Sequence, residues 1–524
     1  MPKVDVLIIG AGVTGAGIAR DLSMRGASVL LLDRGDFCSG ASGANHGMLH
    51  SGARYAVKDP DSAKECATEA NILRKIAAPF IEDIGGLFVS LPEDDYGFAE
   101  KFKRGCSNAG VDARELDVSE AREMEPSLSG DMVRAFWVDD GSIDPFGLTL
   151  ANIEDARSKG VKVRNYCEVV GLDVKDYSIE AVRFKDHRSG SIESMNPSVV
   201  VNAAGAWSSS IAGMAGQKLA LRIDKGSMVV LNGRLCRMLV NRLRLPADGD
   251  IVVPNHSSTI IGTTSSGVTS GDGNSPTEVE VSYLLRETAK VVPGIASARA
   301  VRAYCGVRPL IPTGGGGRSA SRNFKVLDHA GSGIDNLISV IGGKLTTYRL
   351  MAEKVSDLAC QKINNNNKCR TAKETISEMP VIDSVQGIHD MALLRMAKKN
   401  GSAYQNVLEQ CVSYPRGKEE VCTCERVLRG EIQYHLKKGD ARNASDLVKR
   451  TRVGMGYCQG GLCMLGLMSA AMGVSKTAPI EYIDSFLTER NKGVMPILVG
   501  EQLRQEMFKA HLLRGVYGIR EESR

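Results

Sequence analysis

The sequence predicts an α/β chain in which a parallel-sheet, nucleotide-binding unit is interleaved with a mostly antiparallel sheet domain and followed by a small helical domain. Three observations carry this expectation. The β-branched run Val4 to Ile9 leads into Gly10-Ala11-Gly12-Val13-Thr14-Gly15, a helical stretch to about Arg25, the stop Gly26 and a second apolar run, Val29 to Leu32, which together begin a βαβ unit. Between about 220 and 310, residues alternate in the strand manner, as at Ile251 to Val253 and Thr259 to Ile261. Beyond Asn364 to Asn367, the clearest linker, a separate C-terminal region holds a cluster of four cysteines.

At 524 residues the chain exceeds what one core supports, so two or three domains are expected. With 43% hydrophobic and 24% charged residues, the composition is that of a globular protein. A net charge of +5, from 66 basic and 61 acidic side chains, is too mild to argue for nucleic acid and suits a small anionic substrate. Thirteen cysteines, an odd number and mostly scattered, point to a reducing compartment with buried thiols. The opening Met-Pro-Lys-Val-Asp-Val runs directly into a strand without a signal-peptide pattern, so the expected location is cytoplasmic. The longest nearly apolar run, about Cys463 to Val474, falls short of the roughly 20 residues of a membrane helix, so any membrane contact is expected to be peripheral or through a partner. The glycine run Gly314 to Gly317 predicts a mobile loop.

A G-x-G-x-x-G match is weak alone, but here it follows a strand and opens a helix, the context of a Rossmann-type dinucleotide site. Gly10, Gly12 and Gly15 let the backbone turn tightly and approach a pyrophosphate at the helix N-terminus. Asp33, at the end of the second strand, is placed to accept from ribose hydroxyls. The fingerprint alone does not separate FAD from NAD.

From Ser39 to Tyr55 the chain reads Ser-Gly-Ala-Ser-Gly-Ala-Asn-His-Gly-Met-Leu-His-Ser-Gly-Ala-Arg-Tyr, a stretch with little reason to be core. Its small residues permit close approach to a flat ring, while His46, His50, Arg54 and Tyr55 add polar chemistry. Two histidines at i and i+4 form a metal pattern on a helix, but the intervening Gly47 and the small-residue context argue against a helix.

His50-Ser51-Gly52-Ala53-Arg54-Tyr55, Asp140-Gly141-Ser142-Ile143-Asp144-Pro145-Phe146, Cys305-Gly306-Val307-Arg308-Pro309-Leu310 and Gly342-Gly343-Lys344-Leu345-Thr346-Thr347-Tyr348-Arg349 resemble, in this order, signatures of the FAD-dependent glycerol-3-phosphate dehydrogenase family. Asn202-Ala203-Ala204-Gly205-Ala206-Trp207 and Gly342-Gly343-Lys344 resemble the flavin-contacting strand and turn of the amino-acid-oxidase-like flavoprotein fold. The resemblance implies FAD held by Gly10, Gly12, Thr14, Gly15, Asp33, Arg34, Ser39, Ser42, Asn45, His46, Gly47, Ala204, Gly205, Trp207, Gly342, Gly343, Leu345 and Thr346. It implies a phosphate substrate gripped by Arg308 and Arg322, with Arg54, Tyr55 and Lys344 near the glycerol hydroxyls and the flavin. The implied reaction oxidises the secondary alcohol at C2, with hydride passing to flavin N5 and His50 as the candidate base.

Cys422 and Cys424 form a C-x-C pair, and Cys458 and Cys463 a C-x4-C pair among glycines. Four thiolates suit zinc or an iron–sulfur cluster, although zinc modules more often use C-x2-C pairs. The stretch from about 420 to 475 resembles bacterioferritin-associated ferredoxin, which implies a 2Fe–2S cluster able to take electrons singly from a flavin.

The expected division is an oxidoreductase domain over 1–375 (FAD part about 1–75, 150–220 and 325–375; substrate part about 76–149 and 221–324), a connecting segment 376–417, a 2Fe–2S-binding domain 418–475 and a tail 476–524. The tail, mixing apolar and basic residues from Phe486 to Ile519, suits a partner-docking or membrane-surface helix and equally a helix packed on its own domain. The resemblance is to the anaerobic, multi-component branch of the family, which implies partner proteins passing electrons to quinone at the inner face of the cytoplasmic membrane. Rival readings are an FAD-dependent amine or 2-hydroxyacid oxidoreductase, an oxidase, and a non-catalytic flavin and iron–sulfur redox sensor.

Overall fold

The strand Lys3–Ile9 lies inside an eight-stranded sheet, flanked in parallel by Val29–Leu32 and Ile192–Asn202. Lys162–Arg164 and Leu337–Gly342 extend the parallel part, and Phe324–Asp328 closes one edge antiparallel. This is a computed structural model, and it describes residues 2–312, 322–472, 474 and 479–516; the expected loop at Gly314 to Gly317 and the end of the tail lie outside them. Val6 and Ile8 pack with the helices Val13–Met24, Pro145–Ser158 and Tyr348–Lys362, while Leu7 and Ile9 pack with the hairpin Cys167–Lys175 and Ser178–Asp186. Successive strand side chains point to opposite faces, and both faces are covered, which is why the run is apolar throughout rather than alternating. Burying each of these side chains contributes roughly 1.5–3 kcal/mol.

The helix Val13–Met24 stops at Arg25, and Gly26 at φ 83 turns the chain back. The amides of Asn365 and Asn367 donate to the carbonyl of Arg25 at 3.0 and 2.9 Å. The asparagine run that reads as a linker therefore clamps the end of this helix.

The second sheet has nine strands and is antiparallel except where Leu239–Arg242 runs parallel to Gly86–Ser90. Its long pair, Arg222–Leu231 with Ala300–Leu310, carries Arg308. The helix Glu278–Val291, started by a Thr277/Glu280 capping box, covers the sheet's apolar face. A three-stranded patch joins Met48–Leu49 and Ile81–Glu82 to Gly141–Ile143, which stitches the histidine stretch to the Asp140 motif.

The segment 376–417 is more than a connector: Asp390–Asn400 and Tyr404–Ser413 are helices packed around Leu393, Met396, Tyr404, Val407 and Leu428. The cysteine region adds the pair Glu420–Cys422 and Val427–Leu428 and the helices Arg429–Lys437, Ala444–Thr451 and Met464–Met472 around their own apolar cluster. Buried Asp36 ties this region to the nucleotide unit, taking two bonds of 2.8 Å from Arg450 and one of 3.1 Å from Lys449. Burial alone would raise its pKa; the two cations overcome that and hold the carboxyl well below the usual range. Among the described residues, no helix is long and apolar enough to cross a membrane.

Candidate active site

A cavity of about 1020 Å³ is walled by both sheets. The helix Val13–Met24 opens on it at Gly12, and Ser42 Oγ, also on the wall, accepts the Val13 amide at 3.0 Å. Gly10 has φ 107, and a Cβ there would stand 2.6 Å from the Ala203 carbonyl oxygen; one on Gly12 would stand 3.0 Å from Ser42 Oγ. The backbone therefore comes close enough for a pyrophosphate to meet amides rather than side chains. Asp33 accepts from the amides of Ala11 (2.7 Å) and Gly35 (2.9 Å), which leaves lone pairs for a further donor. Burial pushes its carboxyl up to about 6, against the pull of these two amides. Arg34 lies 4.3 Å over the Trp207 ring, and both bond Asp272, closing this end of the cavity.

Along the middle, Ser39, Ser42, Asn45, His46, Ala204 and Gly205 line the wall. Gly306 must be glycine, because its Cβ would fall 2.0 Å from the Ala44 oxygen; the strand Ala300–Leu310 packs backbone to backbone on the small-residue stretch. Tyr304 Oη donates to the Asn45 oxygen at 2.8 Å and fixes the register of that contact.

The other end gathers His50, Arg54, Tyr55, Arg308, Arg322 and Lys344, with Gly343 and Leu345 beside them. Arg308 and Lys344 therefore share one cavity. The rings of His46 and His50 stand edge to face at 5.7 Å, and those of His50 and Tyr55 at 5.3 Å; no helix sets the two histidines side by side. Lys344 Nζ lies 5.1 Å from the Tyr55 ring centre and donates to the Arg322 carbonyl at 2.9 Å. Arg308 donates to Thr263 Oγ1 (2.8 Å) and the Thr264 carbonyl (3.1 Å), which orients its fork. Arg54 is paired with buried Asp250 at 3.1 Å.

Burial, then His46, Arg54, Lys344 and Arg322, hold the His50 imidazole well below the usual histidine pKa, so it is neutral near pH 7. Its Nδ1 is buried without a hydrogen-bond partner. Burial pushes the Tyr55 phenol up to about 12.

Four residues expected at the cofactor sit behind the wall instead. A Cβ on Gly15 would fall 1.9 Å from the Gly10 oxygen, so Gly15 serves helix-to-turn packing. Gly47 (φ 69) and Gly342 (φ 82) make left-handed turns against the carbonyls of Ile143 and Asn323. Thr346 is buried, and its Oγ1 accepts the His50 amide at 3.1 Å.

The four clustered cysteines act on one another's ionisation, Cys463 on Cys422 and Cys458, and Cys458 on Cys424. Bonds from Cys463 lower Cys422 to about 7 and Cys458 to about 5, while Cys463 itself is raised by donating to both. Burial raises Cys424 to about 11. Among the described residues, no three His, Cys, Asp or Glu side chains converge on a single metal ion.

Residues 5–349 match the family described as FAD dependent oxidoreductase. The chain belongs to that family. Along nearly its whole length this FAD-dependent oxidoreductase is similar to the A subunit of the anaerobic glycerol-3-phosphate dehydrogenase of Escherichia coli K12, at 41% identity over 99% of this chain and 98% of that one. The corresponding A1 subunit from Haloferax volcanii is 37% identical over 99% of this chain and 91% of its own length. Among solved structures, the FAD complex of glycerol-3-phosphate dehydrogenase from Bacillus halodurans superposes with a TM-score of 0.71 at 22% identity, covering 95% of this chain and 96% of that one. Glycine oxidase from Geobacillus kaustophilus gives 0.57 at 23% identity over 73% of this chain and all of its own length. These two structures share the fold.

Several wall residues of this FAD-dependent oxidoreductase carry no motif. Thr263 lies on the wall, Thr264 directs Arg308, and buried Asp250 holds Arg54; only their pairing across the second sheet brings them to the site. Glu489 and Lys492, on the helix Pro479–Val494, also reach the wall, which the tail's mixed composition did not signal.

Proposed function

We propose that this oxidoreductase converts sn-glycerol 3-phosphate to dihydroxyacetone phosphate, with the C2 hydride passing to FAD N5 and electrons leaving singly through a 2Fe–2S cluster on Cys422, Cys424, Cys458 and Cys463 toward partner proteins and quinone. The observation that carries the reading is that the glycine fingerprint and Asp33 occupy one end of a cavity whose other end holds His50, Lys344, Arg308 and Arg322. The near full-length relatives named as glycerol-3-phosphate dehydrogenases support it.

Arg308 and Arg322 offer planar forks suited to phosphate oxygens, and Arg308 is already aimed by Thr263 and Thr264. His50 takes the C2 hydroxyl proton as the C–H bond breaks and the ketone forms. In the substrate-free cavity burial, then His46 and the field of Arg54, Lys344 and Arg322, keep His50 neutral. A phosphate dianion entering among these cations cancels part of that field, so the substrate itself raises the basicity of His50. Lys344 and Tyr55 flank the developing alkoxide.

Four cysteines close enough to act on one another's ionisation support an iron–sulfur cluster, in which metal would take the place of thiol protons. A cluster takes its thiolates two to each iron, which suits a chain better than a point. Anaerobic titration tests the substrate: sn-glycerol 3-phosphate should bleach the flavin, while glycerol, sarcosine and L-2-hydroxyglutarate should not. Equal bleaching by glycerol or L-2-hydroxyglutarate would overturn the assignment.

A further inference from the structure

One turn of the nucleotide unit has two faces. Asp33 to Gly35 and Ser39 to Ser42 line the cavity, whereas Asp36, Phe37 and Cys38 between them are buried behind it. The two faces are locked together: Ser39 Oγ donates to the Asp36 carbonyl, and the Cys38 amide donates to the Ala11 carbonyl at 3.3 Å. Cys38 holds a φ of 59, an uncommon conformation for a residue with a side chain. The cations that grip the buried face come from the C-terminal region. Lys449 and Arg450, neighbours on the helix Ala444–Thr451, both reach Asp36, and Lys449 Nζ also donates to the Phe37 carbonyl at 3.2 Å. Asn165 completes the shell of Asp36 at 2.9 Å. The guanidinium carbons of Arg450 and Arg157 lie 5.6 and 5.5 Å from the centre of the Phe37 ring, and Arg157 donates to Asp440 at 2.6 Å. Holding two domains together does not by itself explain these charges, because apolar residues of the same shape would serve at least as well. What the charges add is direction: a two-pronged guanidinium fixes where Asp36 stands, and Asp36 lies midway between Asp33 and Ser39.

We propose that Lys449 and Arg450 are positioning residues for this turn, so that the C-terminal region sets how firmly FAD is held and FAD in turn steadies the C-terminal region. The coupling runs through one covalent turn and involves no step at the cysteines. With the helix Ala444–Thr451 docked, the wall formed by Asp33 to Gly35 and Ser39 to Ser42 stands in place before FAD arrives, and little binding free energy goes into ordering it. Undocked, the same turn must be ordered at the moment of binding, which weakens affinity and hastens release. Linkage is reciprocal, so bound FAD must favour the docked helix to the same degree. Gly10 and Gly12 belong to the first βαβ unit and take no bond from the C-terminal region among the described residues, which makes that turn an internal control.

The test uses the full-length protein as wild type, Phe37→Leu and the double variant Asp36→Asn with Arg450→Gln, which removes one buried charge of each sign. FAD-loaded protein is diluted, and release is followed by the rise in flavin fluorescence. Release should be about tenfold or more faster in the double variant and about threefold faster in Phe37→Leu. Amide hydrogen exchange is then compared with FAD bound and with FAD stripped. In wild type, FAD should slow exchange over 444–451 about fivefold or more, as well as over 10–15; in the double variant the first effect should vanish and the second persist. A purely structural contact would lower the melting temperature equally with and without FAD, whereas here the rise that FAD produces should itself shrink in the double variant. Wild-type release from the folded double variant, or exchange over 444–451 that ignores FAD in wild type, overturns the proposal. Should the double variant fail to fold, Phe37→Leu and the wild-type exchange comparison decide it. Wild-type protein that takes up no FAD refutes the cofactor assignment itself, an outcome told apart by its missing flavin absorbance.

Discussion

The His50 amide bonds a threonine 296 residues away in sequence, whereas Cys463 finds its thiol partners within one short segment of the C-terminal region. The cavity's groups sit on or beside strands whose pairing is set by two large sheets, so their positions are fixed before any ligand arrives. The cysteines sit mainly in turns, where a ligand rather than strand pairing sets their positions. One site is specified by long-range topology and the other by local ligand chemistry, so the two should respond differently to substitution and to ligand removal.

The sharpest test of the preset site is His50→Ala. It should slow flavin reduction by sn-glycerol 3-phosphate about 10²–10⁴-fold in single turnover while FAD content and melting temperature stay near wild type. The pH profiles carry a sign. In the substrate-free site burial and the surrounding cations hold His50 below its ordinary 6.5, so kcat/KM should stay flat through neutral pH and fall only below that range. Bound phosphate offsets the cations, so the kcat profile should break at a higher pH than that of kcat/KM; coincident breaks would refute substrate-driven activation. The same depression affects folding. The unfolded chain takes up a proton at His50 near pH 6.5 and the folded chain does not, so this contribution is complete above that pH and is lost as pH falls toward the folded value.

Arg308→Ala should follow in size, lowering kcat/KM for sn-glycerol 3-phosphate by roughly 10²–10³-fold, since two charge-assisted bonds are lost. FAD content and melting temperature should stay near wild type, and a matching loss of either would mean that Arg308 is structural. Cys458→Ser sharpens the contrast from the other side. Iron content should collapse and amide exchange over 420–475 should rise, while bleaching of the flavin by substrate stays within about threefold of wild type. The smallest effect is expected for Thr277→Ala, which breaks the capping box of the helix Glu278–Val291 and should cost about 1 kcal/mol in denaturant unfolding without altering FAD binding.

The features legible in the sequence are those written locally. Val4 to Ile9 with Gly10, Gly12 and Asp33 announces a strand, turn and helix because every part lies within one βαβ unit. The antiparallel character of the second sheet is visible in its alternation, but its order is not: the parallel pairing of Leu239–Arg242 with Gly86–Ser90 joins segments far apart in the chain. The same limit hides Asp250, Thr263, Asp36 and Arg450, whose residue types are ordinary and whose meaning comes from partners across the fold. Gly15, Gly47 and Gly342 belong to the signature stretches yet lie behind the wall, because a glycine that permits close packing and one that faces a ligand look identical in sequence. The segment 376–417 reads as a connector because its two helices bury their apolar faces on each other and on Leu428, a contact that short polar stretches on either side conceal.

The salt link between Asp36 and Arg450 spans 414 residues of sequence. During vectorial synthesis the first strands leave the ribosome with a carboxylate destined for the interior, but its guanidinium partner has not yet been made. The nucleotide-binding half consequently waits, hydrated at that corner, until the cysteine-bearing segment is translated, and ribosome-stalled chains ending before Arg450 should remain protease-sensitive around Asp36 even when strand pairing upstream is complete.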